Sequence, residues 1–155
     1  MEYRFVDAAK AQEVAKLAVC LTSEIMERTG AKHFDVDVAL AARLCSSYLG
    51  GDQYRVMAAI DQDTIVGFGS VCESRSLYAE GLFGIIQEFY VLPDYRSRNI
   101  GRQLIERIME HARSRGWKRL ELCTPPLPAF DRTVSFYQSN GFQRTGGFKM
   151  KCAVA

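Results

Sequence analysis

The sequence predicts a mixed α/β layer fold in a single domain spanning residues 1–155. Three observations lead to that class. Apolar residues switch between a helical period near 3.6 and a strand period of 2 along the chain, so helices and strands alternate. No repeat, linker or low-complexity tract divides the chain, and 155 residues can bury a full core without staples. Residues 85–109, IIQEFYVLPDYRSRNIGRQLIERIM, read as a strand, a Pro-Asp turn, a short basic loop and a helix.

Each element has a local cause. Residues 3–6 (YRFV) are a short strand. Asp7 can cap a helix running to about Arg28, with Val14, Leu17, Ala18, Leu21 and Ile25 on one face and Thr29-Gly30 as its stop. Asp35 or Asp37 caps a second helix whose inner face is Val38, Ala41, Ala42, Cys45, Tyr48 and Leu49, ended by Gly50-Gly51. Residues 53–60 and 64–74 form a hairpin around a tight DQD turn. Gly67 and Gly69, inside its second strand, signal a bulge or a close backbone approach.

After the strand beginning at Ile85, Ile100, Leu104, Ile105, Ile108 and Met109 mark the apolar face of a helix that must pack on the sheet. Gly116 stops it, and KRLELCT is a further strand, parallel to the previous one if the helix is a right-handed crossover. PPLPAF holds three of the four prolines and cannot be helix or inner strand. Asp131 caps a short helix to Asn140, and residues 142–152 read as one or two strands around Gly146-Gly147. The order is β-α-α-β-β-β-α-β-α-β(-β).

Charge and cysteine usage narrow the function. A net charge of +2 is too small for a protein that lives on a phosphate backbone, so no nucleic-acid partner is expected. No apolar run approaches the roughly 20 residues of a membrane span, and no leader-like segment opens the chain, so a cytoplasmic protein without a membrane partner is expected. The five cysteines are odd in number, scattered and never in a C-x-x-C pair. They read as buried, reduced thiols, and neither His33 nor His111 has a second ligand at metal-binding spacing, so no metal is expected.

The basic loop carries the chemistry. Arg96, Arg98 and Arg102 surround a helix start, where unbonded N–H groups and the positive dipole end favour phosphate. This stretch resembles the signature of the GNAT superfamily of acyl-CoA-dependent N-acyltransferases: Val91, Pro93, Tyr95, Arg96 and Gly101 fit its pattern. Asn99 stands where that pattern has a glycine, and asparagine is the residue that best tolerates the same positive φ. A second block, SFYQSNGF at 135–142, resembles the family's late helix.

The resemblance implies a mixed central sheet with helices on both faces and acetyl-CoA as acyl donor. The pantetheine arm would lie along Phe89, Tyr90 and Val91, and the diphosphate would sit on the turn formed by Arg96, Ser97, Arg98, Asn99, Ile100, Gly101 and Arg102. Glu88 would act as base or substrate ligand, and Tyr137 would protonate the leaving thiolate. Proton transfer from an ammonium near 10.4 to a carboxylate near 4.3 is uphill by about 8 kcal/mol, so Glu88 needs a perturbed partner or a water chain. Tyr137 to thiolate costs only about 2 kcal/mol. Phe130 replaces an asparagine that many members carry seven residues before the late tyrosine. Cys123 is not expected to form an acyl-enzyme, since no histidine lies near it in sequence.

The acceptor implied is a primary amine of a small molecule or peptide. Its pocket would form from residues 24–37, 76–83 and 143–148, where Glu24, Glu27, Asp35, Asp37 and Glu80 could favour a cation. The apolar C-terminal strands could pair across a homodimer. The rival reading from another class is a non-catalytic acyl-CoA-binding sensor or partner module.

Overall fold

The computed structural model describes residues 1–155, arranged as two compact units, Met1–Leu122 and Cys123–Ala155. The first unit runs β1 (Glu2–Val6), α1 (Ala11–Thr29), α2 (Val38–Tyr48), β2 (Tyr54–Asp61), β3 (Thr64–Ser76), β4 (Gly81–Val91), α3 (Ile100–Ser114) and β5 (Leu120–Leu122). The strands form one sheet in the order β1-β2-β3-β4-β5. All pairs are antiparallel except β4 and β5, which are parallel because α3 carries the chain back across the sheet. No helix is long and apolar enough to cross a membrane.

Local chemistry sets the ends. The Asp7 carboxylate accepts from Ala9 N at 2.9 Å, capping a single tight turn from which α1 grows. Gly30 closes α1 in the left-handed region (φ 68°), and its N–H reaches the Met26 carbonyl. Asp37, of the two candidates, caps α2 by accepting from Leu40 N at 2.7 Å. Gln62 and Asp63 take φ of 46° and 67°, the mirror-type turn that joins two twisted strands in two residues.

The sheet is covered on both faces. On one, Val56, Ala58, Ile60 and Phe68 pack with Val14 and Leu17 of α1 and Cys45 of α2. Cys45 is the sole buried residue of α2, whereas Tyr48, expected inside, is 47% exposed with its ring 5.2 Å from that of Tyr54. On the other face α3 comes very close, because a Cβ at Gly69 would lie 2.8 Å from the Ile108 side chain. Gly67 and Gly69 are therefore the seat of α3, and the expected close approach is that of a helix. Leu104 and Ile108 are wholly buried there, each worth about 2–3 kcal/mol by apolar burial.

The second unit holds α4 (Asp131–Ser139) and a tail. Phe130, rather than Asp131, occupies the cap position, its carbonyl accepting from Thr133 and Val134. The strands expected over residues 142–152 do not form. Gly146 and Gly147 both take positive φ and break the extended run, and every residue from Gln143 onward is exposed. β5 is also shorter than the expected 118–124, ending three residues before Pro125 and Pro126, which have no N–H to offer a ladder.

Candidate active site

Glu88 is held by two hydroxyls. Its Oε2 accepts from Tyr54 Oη at 2.9 Å and from Ser70 Oγ, while its own backbone N–H donates to Ser70 Oγ at 3.0 Å. A register shift makes this possible. Ser70 lies opposite Glu88 and Val71 opposite Ile86, so Gln87 is the extra, exposed residue of a bulge. The bulge falls before Glu88, and Glu88 and Tyr90 keep the same face. That face is the one covered by α1 and α2. Burial, with the Glu88 carboxylate as a second cause, raises the Tyr54 hydroxyl, and burial pushes the neighbouring Cys45 thiol up to about 11.

From Glu88 the strand continues past the end of β5. β4 and β5 pair only at Gly84–Leu120, Ile85–Glu121 and Ile86–Leu122. Residues 87–91, which include Phe89, Tyr90 and Val91, thus have no strand on their β5 side within this unit. The chain then passes through a tight turn at Pro93–Tyr95 into the basic loop. Ser97 and Asn99 both sit in the left-handed region, at φ 60° and 65°, so asparagine does hold the conformation a glycine would. Left-handed residues alternating with ordinary ones turn successive N–H groups toward one side. α3 starts at Ile100, and the N–H groups of Ile100, Gly101 and Arg102 belong to its first turn, without intrahelical acceptors. Backbone of this shape fits a diphosphate.

The arginines are not equivalent. Arg96 donates from Nε to the Val91 carbonyl at 2.9 Å and from its two terminal nitrogens to Glu24 at 3.0 and 2.7 Å. Its guanidinium also lies over the Tyr90 ring at 5.3 Å. Arg98 stacks over Tyr95 at 5.2 Å, and Arg102 pairs with Glu106 at 2.8 Å on the exposed side of α3. Several acids read as acceptor ligands are likewise engaged. Glu24 also meets Arg28 at 3.6 Å, Asp35 meets Lys32 at 3.8 Å, and Asp37 caps α2, while Glu27 and Glu80 are exposed. Arg96 holds the Glu24 carboxyl below the usual carboxylate range.

Tyr137 lies in the second unit, 8% exposed, its ring edge-on to Phe142 at 5.6 Å. Burial raises its hydroxyl above the ordinary value. Phe130 is buried as well, at 4% exposure. The cysteines depart from expectation: Cys45 is buried, but Cys20, Cys123 and Cys152 are exposed. A concavity of about 310 Å³ lined by Asp7, Leu49, Asp52, Tyr54 and Arg55 reaches the Glu88 network through Tyr54. The larger one, about 600 Å³ between the start of α1 and the second half of α2, lies apart from it. Sequence reasoning did not reach Tyr54 or Ser70 as parts of this site, and it read Glu24 as an acceptor ligand rather than as the partner of Arg96. A lone serine inside the apolar run VGFGSVC was the one available signal.

Residues 52–144, more than half of the chain, match the acetyltransferase (GNAT) domain family, and the chain belongs to that family. An IAA acetyltransferase of Azospirillum brasilense is 33% identical over 94 residues, 61% of this chain and 58% of the relative. Glucosamine 6-phosphate N-acetyltransferase 1 of Oryza sativa subsp. japonica is 32% identical over 96 residues, 59% of this chain and 58% of the relative. The match thus spans less than two thirds of these relatives. An aminoglycoside N-acetyltransferase solved in complex with CoA superposes with a TM-score of 0.80 at 16% identity, covering 99% of this chain and 95% of its own. A second aminoglycoside acetyltransferase, from an uncultured soil sample and in complex with sisomicin, gives 0.75 at 15% identity over 98% of this chain and 96% of its own. At these identities the structural likeness is one of fold.

Proposed function

We propose that this chain is an N-acetyltransferase that moves the acetyl group of acetyl-CoA to a primary amine by direct attack. One observation carries the reading: a single run of backbone links the Glu88 carboxylate, the stretch of β4 that extends past β5 and the left-handed loop at the start of α3. Each part suits one part of the reaction. Beyond the end of β5, the extended backbone of β4 suits the amide-bearing pantetheine arm, and the loop N–H groups with Arg98 and Arg102 offer charge-assisted bonds to the diphosphate. Bound acetyl-CoA would supply the activated thioester.

The remaining roles fall to this chain's own side chains. Glu88 Oε2 takes both hydroxyl bonds, so Oε1 is the oxygen that can receive the acceptor ammonium or a water leading from it. An N–H of the β4 edge near Tyr90 would bind the oxyanion. Tyr137, kept protonated by burial, is the proton donor proposed for the departing thiolate. The acceptor is a small-molecule or peptide amine; paired with Arg96, Lys32 and a helix cap, Glu24, Asp35 and Asp37 contribute little to recognising a polycation.

Calorimetric titration with acetyl-CoA, CoA and a longer acyl-CoA tests the donor. Micromolar binding of acetyl-CoA is expected, followed by thiol release in an amine screen. No binding at millimolar ligand would sink the reading, and binding without turnover of any amine would favour a non-catalytic acyl-CoA-binding module.

A further inference from the structure

We infer that Arg96 is a positioning residue, a strap that ties the donor loop to α1 through Glu24, and that it makes no bond to the donor's phosphates. The inference rests on the acetyl-CoA reading above. A guanidinium has five N–H donors in a rigid plane. Here Nε is committed to the Val91 carbonyl, both terminal nitrogens to the two oxygens of Glu24, and one face to the Tyr90 ring. The fork is turned onto α1. Three of the five donors are thus used, and turning the fork onto a phosphate would release Glu24, whose carboxylate is only 23% exposed and would be left with Arg28 at 3.6 Å and the Tyr90 hydroxyl.

The strap joins two places that the chain keeps 72 residues apart. Glu24 lies in the penultimate turn of α1, just before the connection to α2, and Arg96 is the first residue after the turn that ends β4. Between them they fix the last carbonyl of the β4 edge, the Tyr90 ring and the entry to the left-handed residues Ser97 and Asn99. Breaking it frees the loop to drift relative to the edge, so the donor's two halves no longer meet their partners together.

The two roles for Arg96 separate kinetically. Wild type, Glu24→Gln, Arg96→Lys, Arg96→Gln and the double variant Glu24→Gln/Arg96→Gln are compared for KM and kcat with acetyl-CoA, with melting curves for each. A strap predicts that Glu24→Gln and Arg96→Lys each raise KM for acetyl-CoA about tenfold, because lysine keeps the charge but loses the fork. It also predicts that the double variant is no worse than Arg96→Gln, since both remove one unit. A phosphate ligand predicts the reverse, with Glu24→Gln silent, Arg96→Lys near wild type and the two effects additive; that pattern overturns the inference. Glu24→Gln is a neutral isostere of a partly exposed side chain and keeps the test open if an arginine variant folds poorly. If wild type itself shows no turnover, the functional reading fails first, and the two failures are distinct.

Discussion

Ser70 stands directly across the ladder from Glu88 and bonds it twice, accepting from its backbone N–H at 3.0 Å and donating to its carboxylate. One buried hydroxyl therefore fixes both the strand and the side chain of the proposed reactive carboxylate. Ser70 is completely buried, so no water can take over either bond.

Removing that hydroxyl should hurt activity and stability together. Ser70→Ala is expected to cost about 1–2 kcal/mol and to lower kcat, whereas Glu88→Gln should lower kcat by about 10²–10⁴ with little change in melting temperature. Thermal melts beside initial rates check the contrast. An unaffected kcat in Glu88→Gln would remove Glu88 from the chemistry.

The floor of β4 tolerates no added methyl at Gly84. A Cβ there would collide with the ring of Trp117 and with Leu120, and the Trp117 indole N–H is fixed at 2.7 Å on Glu73 and cannot easily swing aside. Gly84→Ala should destabilise by about 1–3 kcal/mol, read from denaturant midpoints at unchanged slope.

Stability should fail on the acid side. Trp117 and Arg115 hold the Glu73 carboxyl below the ordinary range, as Arg96 holds that of Glu24. A lowered folded value means stability that is present above the unfolded carboxylate value of about 4.3 and is lost as pH falls through the folded one. The melting temperature should therefore hold from neutrality to about pH 5 and drop below about pH 4. Glu73→Gln should flatten that drop and lower the plateau; an unchanged acid limb would count against the ion pairs as its cause.

Thiol labelling should divide the cysteines sharply. Cys20, Cys123 and Cys152 are exposed and should react with a maleimide in minutes at neutral pH. Cys45, buried beside the Glu88 network with its thiol raised to about 11, should react only on unfolding. Mass spectrometry of the intact protein reads the count, and fast labelling of Cys45 would mean that α2 opens readily.

What could be read ahead of the structure was local. A capping acid at Asp35 or Asp37, the stop at Gly30 and a tight turn at DQD follow from neighbours in sequence, and the structure resolves the first to Asp37; the left-handed Asn99 follows from the family pattern. The α3 face was legible because its apolar positions repeat at helical spacing: Ile100, Leu104, Ile105 and Ile108 are buried as expected, with Ala112 rather than Met109 as the fifth. Pairing was not. That Gln87 is the bulged residue, that Ser70 therefore meets Glu88, and that Glu24 meets Arg96 all depend on long-range register, which no local pattern encodes. The final strands failed for a related reason. Residues 142–152 alternate well enough, but a strand exists only with a partner, and two glycines at positive φ deny it the continuous edge.

The short reach of β5 has a consequence for handling the protein. The β4–β5 ladder stops at Ile86, so no strand of this unit runs beside the last residues of β4 on that side, and a strand rim of this kind can recruit strands from other molecules. A ligand carrying amide groups along that rim would act as a stopper. Heated without ligand, the protein should cloud before it has fully melted; with CoA present at saturating level, light scattering should be delayed by more than the melting temperature rises.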